Sequence, residues 1–328
     1  MTDAPMRLAL CGCGYAARLH SKTLRGMKGD VVRYYASREV GKAKEYADRF
    51  GGAGWFGCYG DAIDSPDVDV VAVLTPPASH RELALRALRA GKDVILEKPP
   101  VMRSADFDDL EAACAATGRR VFVAENYYYK PLAVTLRKLL ADGVGGDVLF
   151  VHINAIKQQV TGDWRDDAAL SGAGALFEGG IHWVNFLANL GMPVTSVRGL
   201  RPGGDSAVER SMLVTFEYES GAVGTLSYSW EVPSTLKGLR LSKIYGRDGT
   251  LTFETNGIFL FVHGASTRLT FPGFRDIAGY KGMFRDFLRA WRTGGEPQMT
   301  LAVARRDLEL IEAAYLTAGE PNDNRSSQ

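Results

Sequence analysis

The chain has 328 residues, 46% hydrophobic and 10% aromatic, enough apolar material for two packed domains. Lys+Arg of 39 against Asp+Glu of 38 leaves a formal net charge of +1 with no basic stripe or acidic tail, which argues against nucleic acid or an anionic membrane as the main partner. No apolar stretch approaches the roughly 20 residues of a membrane span, and Met1-Thr2-Asp3-Ala4-Pro5 lacks the regions of a signal peptide, so a cytoplasmic protein is expected.

Met6-Arg7-Leu8-Ala9-Leu10-Cys11 is an apolar run followed at once by Gly12-Cys13-Gly14-Tyr15-Ala16-Ala17. Strand, glycine turn and a helix beginning near Tyr15 read as a dinucleotide site. Gly12 makes the turn, Gly14 makes room for a pyrophosphate, and the amides of Tyr15 and Ala16 at the helix start meet its charge. Ala17 holds the third position of the pattern, where the residue has only to be small enough for the helix to pack on the sheet.

The next run, Val31–Ala36, ends without the acid that hydrogen-bonds the ribose 2′-hydroxyl of NAD. Ala36 stands in that place. Ser37 offers a hydroxyl and Arg38 a planar fork suited to a phosphate, so NADP(H) is the preferred cofactor and NAD(H) the alternative. The competing reading makes Arg38 a solvated surface residue. Cys11, Cys13, Cys58 and Cys114 lack C-x-x-C spacing and the five histidines are scattered, so the cysteines read as small buried residues and no metal is expected.

Runs at Val68–Leu74, Val94–Leu96 and Val121–Ala124 alternate with helical patterns at Glu82–Ala90 and Ala105–Ala116. This alternation predicts an α/β domain of Rossmann type, a doubly wound parallel sheet over residues 1–125. Glu97-Lys98-Pro99 follows the run Val94–Leu96, at the carboxyl edge where ligands of such sheets bind. Lys98 is there either a proton donor to the oxygen of a carbonyl receiving hydride or a strand-end salt bridge to Glu97.

Past Tyr127 the rhythm changes. One helix over Pro131–Ala141 precedes runs at Val148–Ile156, Met212–Tyr218, Gly224–Trp230, Leu239–Tyr245 and Ile258–Val262, joined by turns such as Glu219-Ser220-Gly221 and Arg247-Asp248-Gly249. These predict a second, α+β domain over 126–318 with an open, largely antiparallel sheet. A helix near Gly180–Leu190, helices over Tyr280–Arg292 and Leu301–Ala318, and a polar tail at 319–328 complete the reading. Gly174-Ala175-Leu176-Phe177-Glu178-Gly179-Gly180-Ile181-His182 leads into the first of these helices. Glu178 and His182 share a face if the helical turn extends back through the glycines, and the carboxylate then orients the imidazole. A structural histidine capped by that glutamate is the competing reading. The glycines are expected to admit cofactor or substrate closely.

With Gly12-Cys13-Gly14, Thr75-Pro76-Pro77 and His80, Ala90-Gly91-Lys92-Asp93-Val94 leading to Glu97-Lys98-Pro99, Gly172-Ala173-Gly174 leading to Glu178 and His182, Gly246-Arg247-Asp248-Gly249-Thr250 and Phe284-Arg285-Asp286-Phe287-Leu288, the chain resembles the glucose-fructose oxidoreductase and inositol dehydrogenase family, Gfo/Idh/MocA. The resemblance spans nearly the whole chain. It implies hydride exchange between NAD(P) and a hydroxyl or carbonyl carbon, most often of a sugar or cyclitol, with Lys98 and His182 as the acid/base pair and Glu178 holding substrate or orienting the histidine. It further implies cofactor contacts at Thr75, Pro76, His80, Glu97, Lys98 and Asn126, a cis bond before Pro99, and homodimers or homotetramers built through the second domain's sheet.

Three positions depart from the family pattern. Glu178 replaces the usual aspartate, Asn185 stands where many members carry another aspartate, and Tyr128 stands where many have arginine, which disfavours an acidic substrate. Tyr128, Trp164 and Arg165 are the first candidates to bind a sugar-like small molecule. The leading expectation is thus an NADP(H)-dependent oxidoreductase of a sugar, keto-sugar or cyclitol. Alternatives are a redox-neutral sugar enzyme with trapped NAD(P), a dihydrodiol-type dehydrogenase, and a cofactor-sensing regulator without chemistry.

Overall fold

The computed structural model describes residues 4–162, 165, 167, 173–203, 208–233 and 238–319. They fall into two compact units: Gly279–Arg305 clusters with the N-terminal residues through Tyr129, and residues from Arg306 cluster with the rest. Among the described residues no helix is long and apolar enough to cross a membrane. Trp164 and the tail from position 320 lie outside the described residues.

The first unit is built on six parallel strands, β1 (Met6–Cys11), β2 (Val31–Ala36), β3 (Gly54–Phe56), β4 (Val70–Val73), β5 (Asp93–Glu97) and β6 (Val121–Ala124), in the order β3-β2-β1-β4-β5-β6. Helices α1 (Tyr15–Leu24), α2 (Val40–Phe50), α3 (Tyr59–Asp64), α4 (His80–Arg89) and α5 (Phe107–Thr117) connect them. Strands β4 and β6 are buried at every position, as a parallel sheet covered on both faces requires. The strand order reverses beside β1, and that reversal opens the crevice in which ligands of doubly wound sheets bind. Two elements were not foreseen, β3 and α3. Each is too short to leave a periodic signal, and β3 is an edge strand with no fully buried residue.

The second unit carries α6 (Pro131–Ala141) and eight strands: β7 (Val148–Ile156), β8 (Val194–Leu200), β9 (Ser211–Tyr218), β10 (Val223–Ser229), β11 (Leu241–Gly246), β12 (Thr250–Glu254), β13 (Leu260–His263) and β14 (Arg268–Thr270). Their order is β14-β13-β12-β11-β7-β10-β9-β8. Only the central β7–β10 pair is parallel; the other pairs are antiparallel. Burial alternates along β9, so one face of this sheet is core. Helix α7 (Ile181–Ala188) covers that face through Phe186, whose ring lies 6.2 Å from Phe253 of β12. Register partners Phe150 and Val223 on the other face are 48% and 38% exposed.

Two helices close the chain, α8 (Tyr280–Thr293) and α9 (Leu301–Ala318). In the first unit α8 packs Phe287 5.4 Å from Phe122 of β6. In the second, the α9 residue Ala314 presents its carbonyl oxygen 2.1 Å from where a Cβ on Gly199 of β8 would stand, so only glycine fits at 199.

Candidate active site

In the first unit the glycine loop sits at the carboxyl end of β1. Gly12 has φ 116°, and an added Cβ would lie 2.8 Å from the Leu74 carbonyl oxygen, so the turn needs glycine twice over. Gly14 has open space where its Cβ would be, and α1 begins after it with neither a side-chain cap nor an acid in its first turn. Tyr15 is 62% exposed, whereas Ala17 is fully buried against the sheet. An open glycine followed by uncapped helix amides suits a pyrophosphate. The residues present therefore fit a dinucleotide.

At the end of β2, Ser37 is buried and its Oγ accepts a hydrogen bond from Glu39 N at 3.1 Å. Arg38 is exposed. Tyr59, at the start of α3, lies beside it: burial raises the Tyr59 phenol above its ordinary pKa, while the Arg38 charge pulls it down. Cys13 turns its thiol toward the Ala36 carbonyl at 3.8 Å, and burial pushes it up to about 11, away from a reactive thiolate.

Thr75 and Pro76 follow β4, with Thr75 Oγ1 2.6 Å from Ser79 Oγ. His80 is fully buried, its Nδ1 2.8 Å from the Pro99 carbonyl oxygen and its Nε2 2.7 Å from that of Thr75. The ring expected to touch cofactor thus faces the protein, tying the loop after β4 to the loop after β5. The peptide bond between Lys98 and Pro99 is cis, as the resemblance implied. Glu97 and Lys98 are half-buried at the end of β5, and Asn126 is buried just past β6. Glu97 Oε2 lies 2.7 Å from His20 Nε2 of α1. The Tyr128 ring is 5.2 Å from that of Tyr129, whose hydroxyl donates to Asp286 at 2.8 Å.

In the second unit, Leu176–Gly180 forms a π-helical turn that runs directly into α7. The helical turn therefore does extend back through the glycines, with a wider period than the α-helix assumed from the spacing. Glu178 is buried, and Arg165 Nε donates to its Oε1 at 3.4 Å. His182 is half-buried one residue into α7. The glycines answer to the protein itself: a Cβ on Gly174 would lie 1.3 Å from Glu209 Oε2, and one on Gly179 would lie 2.2 Å from the Tyr228 hydroxyl. Asn185 is fully buried and donates to Asp307 Oδ2 at 2.6 Å, which makes it a strut of the core.

Residues 6–125 match a family model described as an oxidoreductase family with an NAD-binding Rossmann fold, and residues 133–252 match the GFO/IDH/MocA C-terminal domain. The chain belongs to the GFO/IDH/MocA family. It is an oxidoreductase with an NAD-binding domain of that family. It is 24% identical over 328 residues to a D-apiose dehydrogenase from Paraburkholderia graminis, across 95% of this chain and 87% of that protein. The uncharacterized oxidoreductase YdgJ from Escherichia coli is 29% identical over 213 residues, which span 61% of this chain and 59% of YdgJ. Among solved structures, an aldose-aldose oxidoreductase from Caulobacter crescentus superposes with a TM-score of 0.85 at 25% identity, over 96% of this chain and 97% of the other.

Four residues of this family member escaped the sequence reading: His20, Tyr59, Glu209 and Tyr315. Each lies 21 or more residues from the segment it supports and belongs to no motif. A buried polar residue carries no periodic signal, so only the folded chain discloses its partner.

Proposed function

We propose that the chain is an NADP(H)-dependent oxidoreductase that moves hydride to or from a hydroxyl or carbonyl carbon of a sugar, keto-sugar or cyclitol. The observation that carries this reading is the carboxyl edge of the first unit, where the open glycine loop, Arg38 and Lys98 follow the ends of β1, β2 and β5. When bound, the nicotinamide cofactor supplies or accepts the hydride. Gly14 leaves room for the pyrophosphate, and Arg38 pairs with the 2′-phosphate while Tyr59 steadies the guanidinium. Ala36, in place of an acid, removes the usual partner of the NAD ribose and supports NADP(H).

Lys98 hydrogen-bonds the reacting oxygen, and His182 takes or returns its proton. Glu178, held by Arg165, orients the histidine or the substrate. These roles rest on the family resemblance. Tyr128 and Trp164 are proposed sugar contacts, and the names of the D-apiose dehydrogenase and aldose-aldose oxidoreductase relatives support a sugar-like substrate. Half-exposed Phe150 and Val223 support a second copy of this chain on the sheet of the second unit.

Lys98→Ala and His182→Ala test the assignment. Each is expected to lower kcat by about 100-fold or more while NADPH affinity stays within a few-fold. Undiminished turnover in either variant removes that residue from the mechanism. The aldose-aldose relative favours one second reading, in which the cofactor stays bound and two sugars exchange hydride. Cofactor that copurifies and exchanges with neither added NADPH nor NADP⁺ distinguishes it.

A further inference from the structure

The four backbone amides at the head of the helical segment that carries Glu178 and His182 are all taken by two residues remote in sequence. Leu176 N donates to Glu209 Oε1 at 2.7 Å, and Ala175 N donates to the Glu209 carbonyl oxygen at 2.8 Å. Gly174 N and Phe177 N both donate to the hydroxyl oxygen of Tyr315, at 3.3 and 3.1 Å. The Tyr315 hydroxyl in turn donates to Glu209 Oε2 at 2.9 Å, which closes the network. The first bond of the helix itself, Glu178 N to the Gly174 carbonyl, follows at 3.0 Å.

A helix leaves its first four N–H groups without partners inside the helix, and a neighbouring side chain commonly satisfies one of them. Here all four are satisfied from outside the helix: one by the Glu209 carboxylate, one by the Glu209 backbone carbonyl and two by the Tyr315 phenol of α9. A carboxylate at this end also complements the helix dipole. Glu209 is 4% exposed, and its side chain fills the space that a Cβ on Gly174 would need; Tyr315 is half-buried on α9. A π-helical turn is a costly variant of the helix and persists where surrounding contacts over-determine it. The network supplies those contacts over the four residues that precede Glu178.

We infer that Glu209 and Tyr315 are positioning residues for Glu178 and His182, fixing the register and pitch of the π turn that presents them. This rests on the acid/base role proposed for His182. Both anchors act on the backbone of the turn, through the amides of Gly174–Phe177. Removing them lets the head of the helix fray or relax to α geometry, which rotates and shifts both side chains. A displacement on the order of 1 Å at such a site costs about 100-fold in rate.

The test uses the 328-residue chain carrying Glu209→Ala, Glu209→Gln, Tyr315→Phe or His182→Ala. Amide hydrogen exchange followed by mass spectrometry of peptides over 174–182 is expected to speed up in Glu209→Ala and Tyr315→Phe, with the Rossmann unit unchanged. Gln retains an acceptor for Leu176 N, so Glu209→Gln is expected to restore most of the protection. In turnover, Glu209→Ala and Tyr315→Phe are expected to lower kcat by about 10- to 100-fold with NADPH affinity unchanged, and Glu209→Gln to recover the larger part. Should Glu209→Ala fail to fold, Tyr315→Phe alone carries the test, since it removes the acceptor of two amides with little change in volume. Exchange over 174–182 that matches the native chain in Tyr315→Phe overturns the positioning role, and so does faster exchange with full kcat. If His182→Ala itself turns over normally, the acid/base reading fails instead, and the exchange result still decides whether the network holds the turn.

Discussion

His20 Nε2 lies 2.7 Å from Glu97 Oε2, joining the first helix after the glycine loop to the residue that precedes Lys98. The histidine is enclosed: His20 is 2% exposed, and the rings of Tyr280 and Phe284 meet it edge-on at 5.4 and 5.3 Å. One bond thus couples the pyrophosphate helix to the lysine strand. His20→Ala is expected to cost about 1–3 kcal/mol of stability, because the bond is lost in a site that water does not freely enter. The cost is read as a lower urea midpoint at unchanged slope. A midpoint equal to the native one rejects the pair as a stabilising contact.

Gly14 and Gly12 differ in what surrounds them: a Cβ on Gly14 would meet open space and one on Gly12 the Leu74 carbonyl oxygen. Gly14 has φ −110° and open space around its Cβ position, so alanine there fits the folded chain. Gly14→Ala is expected to keep apo stability within about 0.5 kcal/mol while cutting NADPH affinity at least tenfold, since the methyl occupies pyrophosphate room. Calorimetric unfolding and NADPH fluorescence titration measure the two quantities. Intact affinity would mean the pyrophosphate lies elsewhere.

In the proposed reading Arg38 sets the preference for NADPH over NADH. A charge-assisted hydrogen bond to a phosphate is worth about 1.5–3 kcal/mol, so Arg38→Ala is expected to weaken NADPH by roughly 10- to 100-fold and NADH hardly at all. Tyr59→Phe is expected to move NADPH in the same direction by a smaller factor. Parallel titrations with both cofactors check this, and equal losses of both contradict the 2′-phosphate assignment.

Burial pushes the Glu209 carboxyl up to about 7, against the pull of the Leu176 amide, the Tyr315 hydroxyl and the Arg201 charge. Between the ordinary value of 4.5 and 7 the folded chain keeps a proton that the unfolded chain has released, so this group's contribution to stability is present at low pH and lost as pH rises through that window. Glu209→Gln has no such proton. The unfolding midpoint of Glu209→Gln, taken relative to the native chain, is expected to climb between about pH 5 and about pH 8. A flat or falling difference contradicts the raised carboxyl.

Much of the fold was legible because it is written in periodicity. Met6–Cys11, Val31–Ala36, Val121–Ala124, Val148–Ile156 and Pro131–Ala141 stand where the apolar runs put them. The edge strand Gly54–Phe56, the strand Thr250–Glu254 and helix Tyr59–Asp64 were missed because they are short and also lack a continuous apolar run: the first has no fully buried residue, the second interleaves threonines with its apolar residues, and the helix buries only Ala62 and Ile63. The strand Val194–Leu200 was missed for another reason: it is mostly exposed, so its sequence lacks an apolar face.

The candidate site was legible where it is built from local motifs and opaque where residues distant in sequence meet one another. Glu97-Lys98-Pro99 and the glycine loop are read from neighbours in sequence. The grip of Glu209 and Tyr315 on Gly174–Phe177 is not, because it depends on chain folding over 33 and more residues. The Gly174 and Gly179 glycines were assigned to a ligand when the Glu209 carboxylate and the Tyr228 hydroxyl already fill their space.

The measurement that bears most directly on the account is absorbance at 340 nm. Purified protein is mixed with NADPH or NADH and a panel of aldoses, ketoses, keto-sugars and cyclitol ketones, and with NADP⁺ or NAD⁺ and the corresponding alcohols. The account predicts turnover with a sugar-like substrate, a higher kcat/KM for the phosphorylated cofactor, and loss of that turnover in Lys98→Ala. Turnover that prefers NADH, or that persists in Lys98→Ala, would contradict it.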